Sequence, residues 1–80
     1  MISRGQCRAA RAYLEWSQTY LAQAAHVSES TVRDFEKGRR EPTRNNLLAI
    51  KIAFEEAGIA FTNGDEPGVK LTGNRSTSGG

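Results

Sequence analysis

The chain has 80 residues, enough for one small domain and too few for two hydrophobic cores. It is 38% hydrophobic and 25% charged, and no apolar run approaches the ~18 residues that cross a bilayer, which excludes a membrane-spanning helix. The net charge of +2 is too small to mark a partner, but it is unevenly spread: residues 1–50 hold eight Lys and Arg against five Asp and Glu, and residues 51–80 hold three against four. The positive field therefore belongs to the first part of the chain.

Residues 1–16 carry scattered charge and no apolar centre or cleavage site, so a cytoplasmic location is expected. With a single cysteine, Cys7, an internal disulfide and a zinc-binding thiolate pair are excluded, and a small core residue is the expected role. Helical spacing predicts a first helix over Ser3 to Glu15, with Cys7, Ala10 and Leu14 in the buried stripe and Arg4, Arg8 and Arg11 beside it. Trp16 closes it and is placed to staple the start of the next helix, which Ser17 caps. That second helix runs from Gln18 to Ala25 and buries Leu21, Ala22 and Ala25.

His26 and Val27 break the pattern, and Ser28 offers a side-chain oxygen to cap a third helix that starts at Glu29 and ends at Gly38. Val32 and Phe35 share its buried side, while Glu29, Ser30, Arg33, Asp34 and Lys37 face outward. The following RREPT stretch is a loop, because Pro42 stops a continuous helix, and Thr43 caps a fourth helix over Arg44 to Ala57. Leu47, Ile50, Ala53, Phe54 and Ala57 form its core stripe and Gly58 terminates it. Leu48 and Ile52 fall on an adjacent face, which means either a wider buried stripe or a surface for a partner.

Beyond Gly58 the period shifts to alternation. Ile59 and Phe61, then Val69 and Leu71, flank the turn-rich segment Asn63 to Gly68, a hairpin signal. Two such strands cannot stand alone, so they either lie against the helices or pair with another subunit. The expected organisation is a helical domain over residues 1–58, a hairpin or strand extension over 59–71, and a disordered polar tail over 72–80.

Two short helices around a tight turn form the shape that pushes one helix into the major groove of DNA. The residues resemble the helix-turn-helix domain of the Cro and phage-repressor family, also called the XRE family of bacterial regulators. Its pattern of a Ser-Gln pair, Leu-Ala, a small residue before the turn, Val-Ser, a β-branched residue and Glu-x-Gly is met by Ser17, Gln18, Leu21, Ala22, Ala25, Val27, Ser28, Val32, Glu36 and Gly38. His26 stands where the family usually has Gly, at a position that often takes a left-handed backbone. The resemblance implies an all-α fold, a compact lambda-repressor-like domain of four to five helices, here with a short C-terminal β-hairpin or strand extension.

By the same resemblance, base-reading positions match Glu29 and Ser30, with Thr31, Arg33 and Asp34 following. Gln18 matches a phosphate-binding position. Lys37, Arg39, Arg40, Thr43 and Arg44 surround the far end of the reading helix and suit a second phosphate cluster, by side-chain charge or through the N-terminus of the fourth helix. Glu29 and Asp34 can accept only from a base amino group, and the phosphates repel them, so they either lower non-specific binding or serve as first-turn and surface charges. Arg33 can reach guanine or pair with nearby acids. Arg11 and Glu36 match a structural ion pair of the family.

The expected function is a sequence-specific, double-stranded DNA-binding regulator, a repressor or a small dual regulator, acting as a homodimer on an inverted repeat. Leu48, Ile52, Ile59, Phe61, Val69 and Leu71 are the candidate dimer surface. The competing reading is a protein-interaction module, an antitoxin or antiactivator on the same fold; an inducer would act through the tail, the dimer surface or a second regulatory protein, which is a further candidate partner. With one His, one Cys and no phosphate-cradling Gly-rich loop, the sequence predicts no enzyme, no metal, no cofactor, no small-molecule substrate and no membrane partner.

Overall fold

The computed structural model describes residues 1–63 and 68–71. Among these residues four helices are followed by a two-stranded antiparallel sheet: α1 (Arg4–Leu14), α2 (Gln18–Ala25), α3 (Glu29–Lys37), α4 (Arg44–Glu56), β1 (Ile59–Thr62) and β2 (Gly68–Leu71). The expected tip of the hairpin, residues 64–67, and the expected disordered tail, residues 72–80, lie outside the described residues.

Each helix starts where a hydroxyl can meet an otherwise unpaired backbone N–H. Ser3, Ser17, Ser28 and Thr43 accept from the amides of Gln6, Tyr20, Thr31 and Asn46, at 2.9 to 3.1 Å. Such a cap is worth about 1 kcal/mol. Ser3 and Glu15, expected inside α1, are instead its two caps. Glu15 and His26 both adopt the left-handed conformation, at φ 58° and 59°, so His26 takes the backbone that the family usually gives to Gly. Ala57 caps α4 rather than extending it, and Gly58, at φ 100°, turns the chain into β1.

The core is a single cluster. Leu21, Val32, Ile50, Phe54 and Ile59 are its largest fully buried side chains, with Cys7 and Ala10 from α1 filling the space between them. Trp16 stacks on Phe54 at 5.6 Å and meets Tyr20 edge-on at 4.8 Å, so it locks the α1–α2 corner onto α4. Ile2 is also buried, although it precedes the first helix.

The hairpin lies against the helices. Its register pairs Ile59 with Leu71 and Phe61 with Val69; β1 packs on α4 and β2 on α1. Gln6 fixes it there. The Gln6 carbonyl oxygen accepts from the Ser3 amide, completing a capping box, while its Nε2 donates to the backbone oxygens of Thr62 and Gly68 at 2.9 and 3.0 Å. The hairpin is thus tied to the first turn of α1.

Candidate nucleic-acid interface

α2 and α3 pack across the turn at His26 and Val27, and α3 buries Val32, Phe35 and Glu36. A buried carboxylate requires compensation, and Glu36 has four donors. Arg11 donates from Nε to Oε2 and from Nη2 to Oε1, both at 2.8 Å. Gln18 Nε2 donates to Oε1 at 3.0 Å, and Cys7 Sγ to Oε2 at 3.1 Å. Arg8 adds a 2.7 Å bond to the Glu36 backbone oxygen. α1 and α2 therefore hold α3 through one side chain.

Burial by itself would push the Glu36 carboxyl up, but the hydrogen bonds from Arg11, Gln18 and Cys7, with the charge of Arg11, outweigh it and hold the group below the usual carboxylate range. The same carboxylate stabilises the protonated Arg11 guanidinium. Burial, then the bond to Glu36 and its negative charge, raise the Cys7 thiol well above its ordinary value. Cys7 is thus both a core residue and a donor that completes the Glu36 shell.

Gln18 is engaged on its inner side. One hydrogen of its amide is given to Glu36, which leaves the other for an outside acceptor. On the outer side of α3, Glu29 and Arg33 pair with each other at 3.5 Å, one turn apart and both well hydrated. Ser30 and Thr31 share the Ser28 hydroxyl, at 3.2 and 2.8 Å. Thr31 is half-buried, turned toward a cleft of about 190 Å³ whose lining includes Ser30, Asp34, Arg40, Thr43 and Asn46. The five candidate base readers therefore divide between a crest, at Glu29 and Arg33, and a cleft wall, at Ser30, Thr31 and Asp34.

Lys37, Arg39, Arg40, Thr43 and Arg44 are all exposed. The loop carrying them is anchored to α3, because the amides of Arg39 and Arg40 both donate to the Asp34 backbone oxygen, at 2.8 and 3.4 Å. At the start of α4, Thr43 caps the Asn46 amide, and the helix N-terminus adds a partial positive charge on the cleft that Arg40 also lines. Among the described residues no group of three or more His, Cys, Asp or Glu side chains could hold a metal, and no helix is long and apolar enough to cross a membrane.

The family model described as helix-turn-helix matches residues 8–55, more than half of the chain. The chain belongs to the Cro/C1-type helix-turn-helix family of XRE regulators. No curated protein matches it. Family membership makes it a DNA-binding regulator of the XRE type, and the family is a regulatory one, not a family of enzymes.

The XRE domain contains features that the sequence reading missed. Gln6 is one, although the Ser3-x-x-Gln6 spacing is itself a capping-box signal, and the bond from Arg8 to the Glu36 backbone oxygen is another. The candidate dimer surface also divides. Ile59 is only 2% exposed and fills the core, and Phe61 and Val69 pack against that core. Leu48, Ile52 and Leu71 remain at 40%, 43% and 48% exposure, so α4 has no wider buried stripe within the monomer.

Proposed function

We propose that this XRE protein is a sequence-specific repressor that binds double-stranded DNA as a homodimer, with residues 1–58 as the DNA-binding unit and 59–71 as an appended hairpin. The single observation that carries this reading is the rigid tether of α3: four donors on the Glu36 carboxylate fix the helix from behind, leaving its outer face open. A reading helix must be held in this way, because a loosely held side chain loses the geometry that separates one base edge from another.

Glu29 and Arg33 lead into the major groove, with Ser30, Thr31 and Asp34 toward one wall. Gln18 takes a phosphate on one side with its remaining amide hydrogen. Lys37, Arg39, Arg40, Thr43, Arg44 and the N-terminus of α4 take phosphates on the other. The Glu29–Arg33 pair gives a selective mechanism: Arg33 is released to a guanine only where the gain exceeds the lost pairing, and phosphates elsewhere meet a neutralised face.

Two copies joined through Leu48, Ile52 and Leu71 present two α3 helices to half-sites about 10 base pairs apart or a multiple of that. Repression follows if the occupied operator overlaps a promoter. The test is a titration of the full chain on duplexes selected from random sequence, followed by a reporter assay on the recovered site. Saturable, salt-sensitive binding that weakens in the Arg39→Ala/Arg40→Ala variant, with a salt slope lowered by about two, supports the reading. Activity untouched by that variant would instead favour a protein-interaction role.

A further inference from the structure

Arg4 lies at the start of α1, outside the helix-turn-helix motif, yet the fold brings it to the far end of α3. Its guanidinium covers Gly38 so closely that a Cβ on that glycine would overlap Arg4 Nη1. Gly38 has φ 77°, a backbone that favours glycine, whereas the Arg4 guanidinium is the end of a flexible side chain that rests over it.

Arg4, Arg39 and Arg40 line one cleft of about 430 Å³, floored by Ile2 and Phe35, each 4% exposed. Among the described residues, none of the three guanidinium groups forms an ion pair or a side-chain hydrogen bond, and Glu41 is the one acid on the lining. Three cations around an apolar floor repel one another and focus a positive field into the cleft. An anion relieves that repulsion, and guanidinium groups match a phosphate in charge and in fork geometry. Arg40 and Glu41 also line the smaller cleft beside Thr43 and α3, so the two clefts share the wall that this loop forms.

We propose that Arg4, Arg39 and Arg40 form a second phosphate seat that grips the DNA backbone next to the contact at Thr43, with Arg4 a phosphate-binding residue supplied by α1. This rests on the DNA-binding reading above and extends it beyond the motif. A purely structural Arg4, serving only the C-terminal dipole of α3, would affect folding and leave the salt dependence of DNA binding unchanged.

The test is fluorescence anisotropy of the full chain on a selected duplex and on a scrambled duplex of the same length, from about 50 to 200 mM salt. Arg4→Gln weakens binding to both by a similar factor, about 3- to 10-fold, and lowers the slope of log K against log salt by about one, whereas Arg4→Lys keeps the slope. Arg4→Met, which keeps an apolar stem over Gly38, carries the same test should the Gln variant unfold. An unaltered slope in the charge-removing variants overturns the proposal. So does an unaltered slope combined with Arg4-dependent thermal stabilisation by inorganic phosphate, which would assign the cleft to a small free anion. Failure of the wild type to bind any duplex would refute the DNA reading itself, a result separable from a defect confined to Arg4.

Discussion

Replacing Glu36 by Gln keeps the shape of the side chain and removes its charge. In the wild type, Arg11 and Cys7 donate to Oε2 and Arg11 and Gln18 donate to Oε1, all at 2.8 to 3.1 Å. An amide places an NH₂ group at one of these two positions, so two donors there face a third, and Arg11 loses its counter-charge. Orphaning one member of a buried ion pair costs about 3–5 kcal/mol. The Arg11 side chain is 22% exposed and recovers some hydration, which places the expected loss near the lower limit, about 3 kcal/mol. A domain of this size has only about 5–15 kcal/mol in total, and each kcal/mol moves its midpoint by roughly 4–8 °C. The expected fall in Tm is therefore about 12–24 °C, measured by circular dichroism with urea unfolding in parallel. The Arg11→Met/Glu36→Leu double variant, which removes both charges, should recover a large part of the loss. A Glu36→Gln protein within about 1 kcal/mol of the wild type, or a double variant less stable than the single, would refute this account of the α3 tether.

Three further outcomes are expected. Because the folded Glu36 carboxyl sits below its ordinary range, its stabilising contribution is complete above the unfolded value of about 4.3 and is lost as pH falls through the folded value. The Cys7 thiol is raised, so its contribution is complete below about 8.5 and declines as pH climbs above that; urea midpoints across pH should show both limbs, and Cys7→Ala should flatten the alkaline one. Arg33→Ala should relax base choice by about 1–3 kcal/mol at the positions that Arg33 reads, seen as a broadened set of selected sequences, with stability changed little because its partner Glu29 is exposed. Leu48→Glu with Ile52→Glu should leave the monomer folded, since both side chains are already about 40% exposed, and convert a dimer to monomer in sedimentation; an unchanged oligomeric state would remove this face from the interface.

The local elements were legible because their causes are local. A hydroxyl at a helix start, an apolar stripe recurring every three to four residues and a proline in a loop act over single turns. The caps at Ser17, Ser28 and Thr43 and the stripe from Leu47 to Phe54 could therefore be read directly. The bounds of α1 and α4 each shifted by a residue, since a cap and a helical residue differ in backbone angles, not in residue type.

The four helices, the hairpin strands, the family and the basic half of the chain all follow from short-range spacing or from composition. Which groups converge depends on packing between distant segments. Gln6 reaches the hairpin 56 and 62 residues away, and Glu36 collects donors from Cys7, Arg11 and Gln18 on two other helices. Ile59 goes to the core while Leu71, its cross-strand partner on the same face of the ribbon, stays exposed, a difference set by where each strand lies on the helices and not by residue type. Arg4 comes to rest on Gly38 for the same kind of reason: thirty-four positions separate them along the chain, and only the packing of α1 against α3 closes that distance.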